Sequence, residues 1–556
     1  MTPRPFRRSS PIVFALLIAA SARFPLLARQ QAASHETKPA STYRVAGVVV
    51  SAATSAPLAQ TRVFLVSSRN PSDSLSVVTQ DDGRFSFNAL PAGKFSLRGA
   101  RRGYLSAAYE QHEQYSTAIV TGIPGLDTEN LTLRLVPLAA LSGTVLDETG
   151  EPVRNAQVRL FVQSHRSGTT RVVPLSGAST DDQGAFEFAP LQPANYFVAA
   201  SATPWYAVHP FSEAGDAPPG VVDPSLDVAY PRTFFGGATD SDEAAPINVQ
   251  AGDHAQVEIR LTPVPSVRLT LHVAQDPGRS SFVGMIFQRT FETLDAVPVT
   301  SFSPQSPGTM EIVGLPPGHY SYVLRGNRGE RTQQGEIDLR QSGQDLEDSA
   351  GEPLGHVRLT MSFPKDEAPP KQLGVGLQDQ TNTTVAYQRL SESGELTFNG
   401  LAPGKYTVRL FAAPKAYSVT QLVSHDAQIS GAQFDLKPGE SQEWTASVSA
   451  GNSIIQGFVT RAGKPASGIM VVLIPKDPES HQDLFRRDQS DLDGSFVLRG
   501  VIPGLYTVVA IEDAWGFDWS KPALLAGYAQ HGQAVTIADL MHGTVTLADP
   551  VQLQPR

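Results

Sequence analysis

One unit is written five times in this chain of 556 residues, and a repeat of that kind fixes the architecture before any local signal does. Its centre reads Gly-x-apolar-x-apolar-x-x-Leu and runs into a Pro-containing turn that ends on an aromatic. The copies begin at Gly83, Gly184, Gly308, Gly394 and Gly494, and their closing aromatics are Phe95, Tyr196, Tyr320, Tyr406 and Tyr506. The period is roughly one hundred residues. Phe85 and Phe87 alternate with Arg84 and Ser86, the period-2 pattern of a half-buried strand. Pro fixes φ in the following turn, and Asp81-Asp82-Gly83 or Asp491-Leu492-Asp493-Gly494 supplies hairpin chemistry before the strand.

Three copies keep an earlier half, Val45-x-Gly47-x-Val49, Leu141-x-Gly143-x-Val145 and Ile455-x-Gly457-x-Val459. Copies three and four lack that glycine but match each other through Val267-Leu269-Leu271 and Val357-Leu359-Met361. Closing strands such as Leu131-Leu133-Leu135 complete each copy. About seven short strands per copy predict an all-β chain: a tandem array of about five Greek-key β-sandwiches. The expected limits are 43–137, 138–263 with a long aromatic loop insertion, a degenerate 264–340, 356–450 and 451–550. Residues 341–355, where periodicity stops, are expected to be a linker, and no amphipathic helix is expected outside the leader.

The two halves together resemble the carboxypeptidase regulatory-like domain, a relative of the transthyretin-like, Cna protein B-type and starch-binding-like sandwiches. Copies one, two and five carry both halves, whereas copies three and four carry only the second. The resemblance implies a prealbumin-like, carbohydrate-binding-like fold and leaves function open. Intramolecular isopeptide bonds, which it also brings to mind, need a lysine on an early strand. No lysine lies between Lys94 and Lys365.

Arg4, Arg7 and Arg8 precede the apolar run Ile12 to Ala20 and an Ala20-Ser21-Ala22 site, the pattern of a cleaved signal peptide over 1–22 followed by a linker over 23–42. The expected location is periplasmic, outer-membrane-associated or secreted, with no membrane span in the mature chain. A net charge of −10 argues against nucleic acid as a partner, and the absence of cysteine excludes disulfides and thiolate metal sites.

No zinc-peptidase, nucleophile-elbow or phosphate-loop motif occurs, so the chain is not expected to be an enzyme. Two aromatic loops are candidate glycan platforms: Trp515, Phe517 and Trp519 in copy five, and Tyr230, Phe234 and Phe235 in copy two. Rings that stack on the apolar faces of sugars need to be exposed, and the same rings would serve equally well to cap the edge of a sandwich. Asp488, Asp491 and Asp493 offer hard oxygen ligands that a Ca²⁺ ion could use, though a hairpin turn explains them as well. No other cofactor is expected. The function expected is binding or display at the cell envelope, with a polysaccharide or an envelope protein as partner. The alternatives are an accessory subunit of a carbohydrate-processing or outer-membrane uptake system, and a calcium-stiffened rod.

Overall fold

A computed structural model describes residues 42–210, 223–272, 282–297, 301–306, 309–326, 331–341, 344–347, 354–364, 369–370, 372–380, 384–411, 416–538 and 543–556. The expected signal peptide and the linker after it lie almost wholly outside these residues. Among them no helix is long and apolar enough to cross a membrane, which says nothing of strands.

Five sandwiches, here modules one to five, follow one pairing rule. The first strand of each lies between the repeated Gly-x-apolar-x-apolar strand, antiparallel, and a closing strand, parallel. In module one, Tyr43–Ser51 pairs with Arg84–Leu90 and with Leu131–Leu135. In module two, Ala139–Leu146 pairs with Ala185–Leu191 and His254–Arg260. In module four, Gly355–Ser362 pairs with Glu395–Leu401 and Ser441–Ala450. In module five, Ser453–Arg461 pairs with Ser495–Val501, Gly543–Thr546 and Val551–Gln554.

The rule corrects one boundary. In module three the closing strand is Gln344–Glu347, parallel to Val267–His272, and it falls inside the expected linker. Its four residues, Gln-Asp-Leu-Glu, are too short and too polar to show an alternation.

In modules one to four a second sheet packs over the first. In module five Val551–Gln554 pairs with both Ser453–Arg461 and Gly504–Ile511 and joins the two layers into one nine-stranded sheet. In every module the apolar residues of alternating strands meet between the layers. Val45, Val49, Phe85, Phe87, Leu97 and Leu133 form that core in module one. Ile455, Phe496, Leu498, Val471 and Val508 form it in module five. Burial of each such side chain contributes about 1.5–3 kcal/mol.

The closing aromatic of the motif has a second job in four copies. The hydroxyls of Tyr196, Tyr320, Tyr406 and Tyr506 donate to the carbonyls of Gln192, Pro316, Ala402 and Ile502, four residues earlier, at 2.6–2.7 Å. Each bond ties the proline turn to the core ring, and Phe95 of module one lacks the hydroxyl. The hairpin glycine is equally determined. Gly494 has φ +78°, and a Cβ there would lie 2.5 Å from the Val459 carbonyl oxygen. Gly83 and Gly184 meet the same obstacle at Val49 and Val145.

A short helix, Pro522–Ala529, was not expected. Its sequence, Pro-Ala-Leu-Leu-Ala-Gly-Tyr-Ala, is apolar all round, so no amphipathic period marks it. Pro522 sits in the first turn, where a missing N–H costs nothing.

Candidate functional site

The aromatic loop of module five packs inward. Its outer sheet face presents Met470, Val472, Ile474, Val509 and Ile511, and Trp519, Leu525 and Ala514 cover them as a second core, with Trp515 and Phe517 at its margin. Trp519 is 9% exposed, and Trp515 and Phe517 are half-buried. The indole N–H of Trp519 donates to the His165 carbonyl of module two at 3.2 Å. Trp515 stacks on His112 of module one, with centroids 4.6 Å apart and planes 3° from parallel. Phe517 meets Tyr528 edge-on. A sugar platform needs a free face, and Trp519 has none to offer; this corrects the expectation for module five.

The loop of module two is spent in the same way. Phe234 is 1% exposed and packs with Phe161 on the outer face of its sheet. Phe291 of module three enters the same cluster, with centroids 5.3 Å from Phe161, 5.0 Å from Phe197 and 5.7 Å from Phe234. Tyr230 is buried, and its hydroxyl donates to Glu148 at 2.7 Å. Phe235 packs against the main core of module two. Beside this cluster Arg232 and Arg159 both pair with Asp295 of module three, at 3.1 and 2.6 Å. Tyr230, Phe234 and Phe235 are therefore mortar for module two and its contact with module three.

Asp488, Asp491 and Asp493 do not converge. Asp488 accepts from the backbone N–H of Val497 at 2.6 Å, and burial pushes its carboxyl up to about 6. Asp491 accepts from Lys94 at 2.6 Å and from the Ala118 N–H at 2.9 Å, both in module one. Burial raises Asp491, with Lys94 pulling the other way. Asp493 bonds the N–H and hydroxyl of Ser495 in its own turn. Among the described residues no three His, Asp or Glu form a group able to hold a metal ion. The calcium expectation meets carboxylates whose oxygens already serve a turn and a contact between modules.

What these residues build is a clasp. Arg487 of module five, its side chain 3% exposed, pairs with Glu113 of module one. Its guanidinium carbon lies 4.5 Å from the ring centre of Trp519, 5.2 Å from Tyr115 and 5.9 Å from Trp515. Such cation–ring contacts strengthen once water is excluded. The Gln489 amide donates to the Glu110 carbonyl at 2.7 Å and the Thr117 hydroxyl at 2.8 Å, and its oxygen lies 3.1 Å from His112 Nδ1. The N–H of Leu492 donates to the Ala118 carbonyl at 3.0 Å.

A second clasp joins module five to module two. Asp518 accepts from the N–H and the hydroxyl of Thr170 at 2.6 and 2.7 Å and from Lys521 at 2.5 Å. Burial works to raise this carboxyl, but the bonds from Lys521 and Thr170 outweigh it and hold it at about 2. Module four joins through Asp483 of module five, which takes the Ser418 hydroxyl and lies 3.3 Å from Arg409. Residues some 370 apart in sequence thus meet, and no local pattern could announce such pairs. The one available signal was the run Met470–Pro475, apolar at every position and so covered on both faces.

Among the described residues two ring pairs stand exposed instead, apart from the lone ring of Phe458. Trp205 is 87% exposed, edge-on to Tyr206, whose hydroxyl bonds Glu148. On module four, Tyr387 and Phe411 are 54% and 43% exposed, with centroids 5.9 Å apart. One concavity, of about 680 Å³, lies in module five between the helix and Gln533–Ile537, lined by Pro475, Leu505, Leu525 and Val535. A smaller one of about 210 Å³ lies between modules two and three, beside Gln157, Arg232 and Tyr320.

Comparison with known families agrees with the first two copies of the repeat. The carboxypeptidase regulatory-like domain matches residues 44–121 and 140–212. Among solved structures, the Bacillus anthracis TIE protein aligns at 14% identity over 74% of this chain and 76% of its own, with a TM-score of 0.17. A streptococcal ancillary pilin aligns at 11% identity over 52% of this chain and 100% of its own, with a TM-score of 0.20. A minor pilin of Streptococcus agalactiae aligns at 11% identity over 43% of this chain and 100% of its own, with a TM-score of 0.21. No curated protein matches the chain. The chain is an array of β-sandwiches whose first two carry the carboxypeptidase regulatory-like sequence.

Proposed function

We propose that this chain is an exported, non-enzymatic scaffold for binding or display at the cell envelope, with its fifth module clasping modules one, two and four into one stiff body. The clasp carries the reading. The chemically capable side chains of module five, Arg487, Asp491, Asp518, Trp515 and Trp519, are committed to neighbouring modules. Independent modules on flexible linkers would leave these groups in water. A basic, apolar and small-residue leader supports export.

Because the chain has no cysteine, a single engineered pair tests the clasp cleanly. Ala118→Cys with Leu492→Cys places two thiols on residues whose backbones share a hydrogen bond, within reach of a disulfide. Mild oxidation is expected to give an intramolecular cross-link in the monomer, seen as altered mobility in a non-reducing gel. Free thiols after oxidation would mean that the modules hang apart.

A further inference from the structure

In modules two and five the outer face of the second layer is covered by the chain's own aromatics. In module four the same face is open and differently furnished. The strands Thr384–Arg389, Gly374–Gln378, Gly404–Phe411 and Gln433–Leu436 lie side by side in that order. Their registers set out three rows. Arg389, Gly374 and Phe411 form the first, Tyr387, Gly376 and Arg409 the second, and Thr384, Gln378 and Thr407 the third. The glycines make room for the rings. A Cβ on Gly374 would lie 2.3 Å from the Tyr387 hydroxyl oxygen, and one on Gly376 would lie 2.8 Å from the Phe411 ring.

Two half-exposed rings, tilted 59° to each other, therefore lie against a floor of glycine, with amide and hydroxyl groups in the next row. A sugar chain has this chemistry in mirror image, with apolar ring faces and hydroxyl rims, and the tilt suits successive units turned relative to one another. Charge narrows the class. Arg409 is occupied: its Nε donates to Gln378 at 3.0 Å, and Asp483 of module five lies 3.3 Å away. Lys405 faces Asp435 directly across the register. Arg389 is exposed beside the rings, and the first two rows hold no carboxylate. A planar fork of donors next to a stacking ring fits a sugar carboxylate.

We propose that this face of module four binds an acidic, uronate-containing polysaccharide, with sugar rings stacked on Tyr387 and Phe411 and a carboxylate held by Arg389. The proposal rests on the binding role above, yet the cysteine-pair test of the clasp involves modules one and five only, so each can fail alone. The experiment is affinity electrophoresis of the full chain through gels containing polygalacturonate, with the carboxyl-reduced polymer as the matched neutral control. Retardation by polygalacturonate is expected. It should weaken about tenfold in Tyr387→Ala, the usual effect of losing an anchoring aromatic. It should weaken similarly in Arg389→Gln, whose exposed position leaves folding intact, and in the reduced polymer. An unretarded chain would overturn the proposal. Equal retardation by the reduced polymer would remove the carboxylate from it. Retardation unchanged in both variants would leave the rings as mere covers for the two glycines and overturn the site.

Discussion

Phe411 and Ile511 occupy the same place in two copies of one sandwich. Gly404–Phe411 and Gly504–Ile511 each start with the turn glycine, carry the core tyrosine two residues later and end on an outward-facing residue. Their partner strands correspond as well, with Gly374 opposite Phe411 and Met470 opposite Ile511. Ile511 is fully buried beneath the Trp519 cover, whereas Phe411 is almost half exposed. The inner face, which makes the sandwich, is common to both modules. The outer face is free to differ, and the two modules furnish it differently.

Four measurements would break or sharpen that contrast. The largest effect belongs to Arg487→Ala, which strands Glu113 without its partner and empties the space between three rings. Losing one member of such a buried pair costs about 3–5 kcal/mol, read as an early transition in a urea melt. Arg389→Ala, its counterpart on the open face, is expected to stay within about 0.5 kcal/mol of the parent. Equal losses in the two variants would dissolve the distinction. Trp519→Ala removes a buried ring, at about 3–5 kcal/mol. Phe411→Ala removes one that water already reaches and is expected to cost less than half as much in the same melt.

Acid should act on the clasp through two carboxyls of module five, Asp518 and Asp488. Asp518 is held below its unfolded value, so its contribution is complete above pH ~4 and drains as pH falls toward 2. Asp488 is raised, so its burial costs stability above pH ~6, and that cost is relieved between about 6 and 4. Clasp stability, followed by Trp fluorescence, should therefore rise slightly from pH 7 to 5 and fall below 4. The smallest effect expected is that of calcium. Adding Ca²⁺ or chelator should leave Tm unchanged, and a calcium-dependent rise would reopen the Asp488, Asp491 and Asp493 turn as a metal site.

The inner faces were legible because they repeat with period two and recur every hundred residues. Phe85 and Phe87 predict their own burial, and so do Phe496 and Leu498. The aromatic loops were legible as features but not in their direction. Trp519 and Phe234 look like exposed platforms in sequence because the residues that bury them lie in other strands or other modules. The opposite signal was available in Met470–Pro475 against Gly374–Gln378. The first is apolar throughout, and the second places Gly, Gly and Gln at alternate positions that need no cover. Arg487 and Glu113 could not be singled out at all, since a charged residue becomes a clasp only through its partner, here 374 positions away.

The Lys94–Asp491 bond spans 397 residues. During synthesis modules one and two can each complete a core, yet the surfaces around Glu113 and Thr170 must wait for the fifth module to emerge. The entropy of closing so long a loop rises only with the logarithm of its length, so the wait is inexpensive at equilibrium. Its consequence is temporal. A stalled or clipped chain would present these surfaces unpaired to any other copy in which the fifth module is complete, and exchange of that module between chains would follow from the same contacts that hold one chain together.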